Sequence, residues 1–395
     1  MFHLDLAPAD PILGLTETFK ADTHPDKINL GVGVYQDATG KTPVLDSVKQ
    51  AEIRLLELEQ SKSYLAIPGV PELAAHTQTL LFGEGHAIIT EGRAKTAQTP
   101  GGTGALRVAA DFFLRAAPKA TVWLSNPTWA NHRAIFEAAG FPVKDYRYYD
   151  KASQGLDRAG FLADLEAMAP GDIVILHGCC HNPSGIDLGP AEWQAVADAA
   201  KAKGLVCLVD FAYQGFGDGL TEDRQGLHTL LNAGLGVLIA SSFSKNFGLY
   251  NERIGALTVV EEDADLATKA FSHIQAAIRA IYSSPPAHGG KIVATILGDS
   301  DLHALWVREL NDMRTRIKAM REAFVSGMAA RQSKVDFEFI NHQKGMFSFS
   351  GLTEAQVLKL RADNHIYIVG SGRINVAGIT PANLDPLCDA MAKVL

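Results

Sequence analysis

The middle of the chain alternates short apolar runs with segments whose apolar residues recur at helical spacing. Such alternation predicts buried strands separated by helices, and hence a mostly parallel sheet with helices on its faces. The predicted strands are 121–125, 172–177, 205–210 and 237–242, and the helices predicted among them are 106–117 and 190–203. Because ligands of such sheets bind beyond the carboxyl ends of the strands, the residues that follow these runs are candidates for a functional site.

The C-terminal third of the chain has a different pattern. From Leu310 to Phe324, apolar residues recur at spacings of three and four, which predicts one long amphipathic helix. After it we expect a short helix near 354–364, two strands within 365–370 and 372–378, and a final helix. This order of elements predicts a second, smaller α+β domain.

Length, composition and charge are those expected of a large globular protein. The chain has 395 residues, of which 47% are hydrophobic and 20% charged. With 36 basic and 44 acidic side chains, a net charge of −8 and no basic run, nucleic acid is not an expected partner. No apolar run reaches the roughly 18 residues that span a bilayer, and the N-terminal segment does not resemble a signal peptide, so we expect no membrane partner and no export.

The four cysteines give a further indication of compartment. Cys179, Cys180, Cys207 and Cys388 show no CxxC spacing. We expect them to be reduced and structural, which is typical of a cytoplasmic protein.

Lys245 is the most informative single residue. It follows the predicted strand 237–242 and stands near three hydroxyls, Ser241, Ser242 and Ser244. A lysine sheltered from water can lose its proton, and the neutral amine can form a Schiff base with a carbonyl compound. If the hydroxyls hold a phosphate, pyridoxal phosphate (PLP) is the obvious carbonyl compound. A lone loop lysine is far more often a surface residue, so the interpretation depends on the rest of the chain.

Polar and aromatic residues also follow the other predicted strands. They are Trp129 and His132 after 121–125, Asn182 after 172–177, and Asp210 and Tyr213 at and after the end of 205–210. An acid such as Asp210 could keep a pyridine nitrogen protonated, or it could simply cap a helix. A tryptophan in a ligand-facing turn can stack on an aromatic cofactor. Without Lys245 the two interpretations of Asp210 are about even, whereas Asn182 and Trp129 taken alone are more often structural.

The segment 100–107, PGGTGALR, is a candidate for binding a phosphate. Its glycines would let the backbone approach a ligand closely, and the helix that follows would offer free N–H groups. As a dinucleotide fingerprint it is poor, because it lacks the third glycine of GxGxxG and no strand clearly precedes it. A nucleotide-binding oxidoreductase is therefore disfavoured, while a simple tight turn remains open. Three isolated arginines, Arg253, Arg279 and Arg373, could clamp carboxylates or a phosphate.

Eight motifs together resemble one family. GGTGA, NPTWANH, HGCCHNPSG, DFAYQGF, SFSKNFGLYNERIGAL, AIRAIYSSPPAHG, GMFSFSGLT and SGRINVAG occur in this order. The set is similar to the aspartate and aromatic aminotransferases of PLP fold type I, over essentially the whole chain. The resemblance implies an α/β fold with a mostly parallel central sheet in a large domain plus a small α+β domain. It also implies an N-terminal arm at 1–9, a small domain of 10–42 and 313–395, a large PLP-binding domain of 43–312, and a homodimer with shared active sites.

The resemblance implies a role for each candidate residue. Lys245 is the Schiff-base lysine and proton carrier, and Asp210, supported by His132, pairs with the pyridine nitrogen. Among the other implied cofactor contacts, Trp129 stacks on the ring, and Asn182 and Tyr213 lie at its phenolic oxygen. The implied phosphate contacts are Gly102, Thr103, Ser242 and Arg253. Tyr64 is implied to reach the phosphate from the other subunit and is also counted among the catalytic residues. The implied substrate contacts are Gly33, Trp129, Asn182, Arg373 at the α-carboxylate and, from the partner subunit, Arg279 at the side-chain carboxylate. No metal is implied.

The implied reaction is ping-pong transamination of L-aspartate and 2-oxoglutarate to oxaloacetate and L-glutamate. Arg279 favours dicarboxylic substrates, because a buried guanidinium without a carboxylate partner is costly. Aromatic-active members keep this arginine, so it does not exclude them. Thr103 points to the aspartate branch, whereas Gln36, Ser63 and Ser284 depart from its pattern, and Ser284 matches the aromatic branch. An aromatic or dual-specificity aminotransferase is the alternative; a PLP-binding regulatory domain without turnover is disfavoured, since both substrate arginines are present.

Overall fold

The computed structural model describes residues 13–395, and the side chains of 14–395. These residues form two compact units. The smaller unit comprises 13–42, Pro183–Gly185 and Arg316–Leu395, and the larger unit comprises Pro43–Asn182 and Ile186–Thr315. The arm expected at 1–9 lies outside the described residues.

The elements are numbered in chain order. The helices are α1 Leu13–Ala21, α2 Asp46–Leu58, α3 Pro71–Phe82, α4 Ala87–Thr90, α5 Gly101–Ala116, α6 Ala130–Ala138, α7 Arg158–Ala167, α8 Pro190–Lys203, α9 Gln225–Asn232, α10 Ala264–Ile281, α11 Ala287–Gly298, α12 Ser300–Ala330, α13 Glu354–Asn364 and α14 Leu384–Val394. The strands are β1 Ile28–Asn29, β2 Ala94–Pro100, β3 Val122–Asn126, β4 Val143–Arg147, β5 Tyr149–Asp150, β6 Gly155–Leu156, β7 Ile173–His177, β8 Val206–Phe211, β9 Val237–Ser242, β10 Ile254–Val260, β11 Phe347–Phe349, β12 Ile366–Tyr367 and β13 Arg373–Asn375. Short 3-10 helices lie at Glu222–Arg224, Glu338–His342 and Val376–Gly378.

The larger unit is built on one sheet with the strand order β2-β10-β9-β8-β7-β3-β4. Every pair from β9 to β4 is parallel, whereas β10 pairs antiparallel with both β9 and β2. The central strands read as continuous apolar runs because both faces are covered; all six residues of β9 are buried, for example. The predicted α/β class with a mostly parallel sheet is confirmed.

Helix α8 shows how local sequence sets an element. Pro190 occupies its first turn, where a missing N–H costs nothing, and Glu192 accepts a hydrogen bond from the Gly189 N–H at 3.1 Å. Gly204 ends the helix in a left-handed conformation, with φ of 63°. Both predicted ends of this helix are confirmed.

Helix α5 corrects one expectation. It begins at Gly101, so the glycines of PGGTGALR form its first turn, and β2 runs directly into it. The sequence had suggested no clear strand here, because Ala94–Pro100 reads AKTAQTP and lacks an apolar run. Its buried polar side chains are satisfied by hydrogen bonds instead. The Thr96 hydroxyl pairs with that of Thr258 on β10 at 2.8 Å, and the Gln98 amide accepts from the Val70 N–H and donates to the Pro286 carbonyl.

The smaller unit combines short sheets with helices. Strand β1 pairs in parallel with β12, β11 pairs antiparallel with β13, and α13 packs against α14. The helix predicted over 354–364 is confirmed, whereas that predicted from Leu310 to Phe324 extends over the whole of α12. Among the described residues, no helix is both long and apolar enough to cross a bilayer.

Candidate active site

Three adjacent parallel strands of the larger unit bring polar groups to one edge of the sheet. Strand β8 lies between β7 and β9, and His177 at the end of β7 is in register with Asp210 near the end of β8. Lys245 lies in the segment that follows β9. The carboxyl ends of parallel strands therefore place a lysine, a carboxylate and an imidazole together, where open α/β sheets bind ligands.

Asp210 is buried and held as an anion. Its Oδ2 lies 3.0 Å from Nε2 of His132, whose Nδ1 lies 2.8 Å from the Thr128 hydroxyl. Burial on its own raises the pKa of Asp210, but the hydrogen bond to His132 and the nearby charge of Lys245 lower it below the ordinary value overall. Asp210 does not cap a helix, because β8 continues to Phe211.

Lys245 is poised to lose its proton. Its Nζ lies 4.8 Å from the centre of the Tyr213 ring. Desolvation lowers the pKa of Lys245 to about 8, assisted by Arg253 and opposed by Asp210. At pH 7 about one molecule in ten then carries a neutral amine, compared with roughly one in several thousand for an ordinary lysine. The Lys245 side chain is half-buried, so a carbonyl compound can reach its amine.

A cradle for an anion lies at the start of α5. A Cβ on Gly101 would come within 2.5 Å of the Arg253 guanidinium, and one on Gly102 within 3.1 Å of the Ser242 Cβ. The absence of side chains therefore lets Arg253 and Ser242 approach the first turn of α5, which also contains Thr103. Free N–H groups, a hydroxyl and a guanidinium converge there, as a phosphate requires.

Buried acceptors without a protein partner mark the same edge of the sheet. Within residues 13–395, Oδ1 of Asn182 and the hydroxyl of Ser241 are buried and make no hydrogen bond. Such groups are rare in native proteins unless a ligand or water satisfies them. Tyr213 is buried, and Trp129 lies edge-on to His132 with ring centres 5.4 Å apart. Together with Lys245, Asp210 and the anion cradle, this set fits a phosphorylated aromatic aldehyde, and hence PLP.

Two predicted site residues lie on the surface of this chain. Tyr64 is 98% exposed. Arg279, in the last turn of α10, is also exposed, and its guanidinium donates a hydrogen bond to the Ser283 hydroxyl. The larger unit by itself therefore does not enclose either side chain.

Two further predicted site residues, Gly33 and Arg373, lie together in the smaller unit. Arg373 is buried, its guanidinium lies 4.3 Å from the centre of the Phe347 ring, and it donates to the Gly31 carbonyl. A Cβ on Gly33 would come within 3.1 Å of the same ring, so Gly33 and Arg373 border one aromatic side chain. Asn375 fastens the segment further, donating to the carbonyls of Val32 and Val34 at 2.7 and 2.8 Å.

Sequence reasoning missed three residues that shape the site. Thr128 and Asn246 are neighbours of residues that were singled out, Trp129 and Lys245. His177 ends β7 as Asp210 nearly ends β8, so its place at a strand end was the available signal. Burial, with His181 and His132 nearby, holds the pKa of His177 well below its usual range, so this imidazole is neutral.

Among the residues that the structure describes, two clusters offer residue types that bind metals. One polar atom each from His132, His177 and Asp210 lies within 4.8 Å of the others, and the same holds for Cys179, Cys180 and Asp223. The first cluster belongs to the site above. In the second, the Asp223 oxygens already accept backbone N–H groups of the loop Gly215–Gly219. All four cysteines are free thiols and buried.

Known proteins match this chain over nearly its whole length. The sequence profile of "Aminotransferase class I and II" matches residues 25–391. An aspartate aminotransferase of Salmonella typhi is 55% identical over 393 residues, 100% of this chain and 99% of that protein. An aromatic-amino-acid aminotransferase of Escherichia coli (strain K12) is 43% identical, over 99% of each chain. The crystal structure of an aromatic-amino-acid aminotransferase from Burkholderia pseudomallei, covalently bound to pyridoxal phosphate, is 48% identical, covers 99% of this chain and 98% of its own, and superposes with a TM-score of 0.97.

Proposed function

The chain belongs to the aminotransferase class I and II family, and we propose that it is a PLP-dependent aspartate aminotransferase. It would transfer the amino group of L-aspartate to 2-oxoglutarate, giving oxaloacetate and L-glutamate in a ping-pong reaction. The observation that carries the proposal is the pairing of a readily deprotonated Lys245 with an anionic Asp210 at neighbouring strand ends. The high identity to a full-length aspartate aminotransferase supports the choice of substrate.

Each residue of the site has a task in this reaction. PLP, when bound, supplies a protonated pyridine ring that withdraws electrons from the substrate's α-carbon. Asp210, oriented by His132, keeps the proton on the pyridine nitrogen. Lys245 takes the α-proton as a base and returns it as an acid, a role that a lysine pKa lowered by desolvation favours.

The remaining residues bind and orient. Ser242, Arg253 and the first turn of α5, with Gly102 and Thr103, would hold the phosphate, and Tyr64 of a second subunit would reach it as well. Trp129 would cover the ring, and Asn182 and Tyr213 would hydrogen-bond its phenolic oxygen. Arg373, beside Gly33, would bind the substrate α-carboxylate, and Arg279 the side-chain carboxylate. Bidentate guanidinium contacts fix the amino acid so that its α-proton points at Lys245.

A homodimer is part of the proposal. Apolar side chains of α2 are exposed, with Leu56 at 84%, Leu58 at 73% and Ile53 at 59%. Tyr64 follows shortly after them along the chain. An exposed apolar cluster of this kind favours burial against another protein surface, and a second copy would use Tyr64 and Arg279 to complete the site. We also propose that the two units are the small and large domains of the family and that the enzyme is cytoplasmic.

Activity on aromatic amino acids is the second candidate. Ser284, where the aspartate pattern has asparagine, favours it. A substrate panel decides between the two: aspartate should exceed phenylalanine and tyrosine in kcat/KM, and a tenfold preference for the aromatic substrates would reverse the assignment.

Borohydride labelling tests the chemistry directly. The protein with added PLP should show a near-visible absorption band that changes with aspartate and returns with 2-oxoglutarate. Reduction and peptide mapping should find the cofactor on Lys245, and Lys245→Ala should lack the label. A label on another lysine, or no band at all, would contradict the proposal.

Subunit mixing tests the dimer. Lys245→Ala and Arg279→Leu chains, each poorly active on aspartate, should recover activity when co-expressed, because one site of the hybrid then holds both native residues. No recovery in a hybrid of confirmed composition would place Arg279 in the site of its own subunit.

A further inference from the structure

Asn246, the residue directly after Lys245, has no part in the chemistry described above. It is 2% exposed. Its side-chain amide donates a hydrogen bond to the main-chain carbonyl of Gln214 at 3.2 Å. Because Gln214 directly follows Tyr213, a single buried amide joins the segment that carries Lys245 to the segment that carries Tyr213.

The segment that carries Lys245 is anchored on its far side as well. The indole N–H of Trp306, on α12, donates to the carbonyl of Asn246 at 2.8 Å. The indole ring also stacks on Phe247, with centres 4.4 Å apart and planes 10° apart. Trp306 is fully buried, so this anchor is shielded from competing water.

The segment that carries Tyr213 is equally well held. The Gln214 side chain donates to the carbonyls of Leu80 and Leu220 at 2.8 and 3.0 Å. The Gly215 N–H donates to Asp223 at 2.8 Å. The hydrogen bond from Asn246 therefore joins the segment that carries Lys245 directly to a Tyr213 segment that is itself held in the larger unit.

We propose that Asn246 is a positioning residue, whose amide keeps the Lys245 amine over the Tyr213 ring and away from bulk water. The positioning of Lys245 by Asn246 is argued from contacts within this chain, whereas the importance of Asn246 for turnover rests on the proposed function. Among the described residues, Oδ1 of Asn246 has no hydrogen-bond partner, so the donated bond is the polar contact that explains an amide at this buried position.

The proposal has a consequence that can be measured without cofactor. Desolvation lowers the pKa of Lys245, which raises the share of molecules that carry a neutral amine. If the tether is lost, the segment gains freedom, the amine reaches solvent, and its pKa moves back toward that of an ordinary lysine. Each unit of increase reduces the neutral fraction at pH 7 about tenfold.

The test is competitive labelling of the apoprotein with acetic anhydride over a range of pH. Asn246→Leu keeps the approximate size of the side chain and removes the donor. Wild type should show half-maximal reactivity of Lys245 at pH about 8. In Asn246→Leu the midpoint should rise by about one unit, with about tenfold slower labelling at pH 7. An unchanged midpoint in the folded variant would overturn the proposal.

Gln78→Ala is the matched control. In wild type the side-chain amide of Gln78, on α3, donates to the Ala94 carbonyl at 3.4 Å and to the Thr96 hydroxyl at 3.2 Å, both on β2. The variant therefore loses comparable hydrogen bonds at a place away from the strand end that carries Lys245. We expect wild-type labelling of Lys245 in this variant; a shift equal to that of Asn246→Leu would show that any loosening suffices, which also overturns the proposal.

Asn246→Ala decides the matter if Asn246→Leu does not fold. It removes the donor to the Gln214 carbonyl without adding bulk, and it keeps the main-chain carbonyl that accepts from Trp306. We expect a shift in the same direction, of about tenfold in rate at pH 7, and no shift would overturn the proposal. These measurements need no cofactor, so they can be interpreted even if the borohydride experiment fails. If borohydride reduction places PLP on Lys245 in wild type but the titration midpoint of Lys245 is unchanged in Asn246→Leu, only the role of Asn246 is rejected.

Discussion

The site residues of the larger unit fall into two groups that differ in exposure. Asp210, His132 and Tyr213 are buried and in contact with other groups of the site, and Lys245 lies over the Tyr213 ring. Tyr64 is 98% exposed, and Arg279 is exposed as well. A buried polar group must be given partners by the fold, so one chain settles its geometry. An exposed group takes its final surroundings from whatever packs against it, so the surroundings of Tyr64 and Arg279 depend on the proposed homodimer.

The largest loss of kcat/KM is expected from a substitution in the buried group of site residues. Asp210→Asn removes the charge and leaves His132 buried beside a neutral amide. Removing one preorganised electrostatic contact of an active site costs about 10²–10³-fold in rate, so kcat/KM should fall by a factor of that size. The fall should be the same for aspartate and for phenylalanine, because Asp210 acts on the cofactor. Steady-state kinetics with both substrates measure it.

Asp299→Asn is the control for that prediction. Asp299 is a partly exposed carboxylate of the same unit and pairs with Arg54. It should leave kcat/KM within about twofold of wild type, since exposed ion pairs contribute little. A loss at Asp210 that differs strongly between the two substrates would mean that this carboxylate contacts the amino acid itself.

A smaller and more selective effect is expected from the exposed group. Arg279→Leu should lower kcat/KM for aspartate about 10–100-fold, because a hydrogen bond to a charged group contributes about 1.5–3 kcal/mol. Phenylalanine, which has no side-chain carboxylate, should be used as before. Kinetics with both substrates give the ratio, and Arg115→Leu, an exposed arginine in the last turn of α5, provides the control. An equal loss for both substrates would show that Arg279 supports the fold or the dimer instead.

The smallest effect is a pH dependence of stability in the apoprotein. The pKa of Lys245 is about 8 in the folded chain, below its value in an unfolded one. Between pH 8 and about 10.5 the unfolded state binds the extra proton, so stability rises with pH in this window. From pH 7.5 to 9.5 the gain should be at most about 2 kcal/mol, because Lys245 keeps some contact with solvent.

Lys245→Met provides the reference for this measurement. Denaturant unfolding of both apoproteins at the two pH values gives the difference that belongs to Lys245 alone. If the difference between wild type and Lys245→Met does not change with pH, the amine is as well hydrated in the folded chain as in the unfolded one.

The sequence predicted the parts of the molecule whose patterns are local. Continuous apolar runs revealed β9 with its correct ends and β3, β7 and β8 to within one residue, and proline and glycine marked both ends of α8. Strand β2 was not predicted because most of its buried residues are polar, and hydrogen bonds that only the fold provides satisfy their side chains. The tether from Asn246 to Gln214 escaped for a related reason, since it joins residues far apart in the chain.

By itself, the sequence determined which chemical groups are present, in what order, and at the ends of which strands. The lysine, the carboxylate, the glycine-rich turn and the three arginines could all be named from it. Only the tertiary structure decided which of these groups lose their water, and desolvation is what lowers the pKa of Lys245 toward neutrality. It also decided that Asp210 faces His132 and that Tyr64 and Arg279 face outward. Burial and hydrogen bonding depend on neighbours that the chain brings together only by folding.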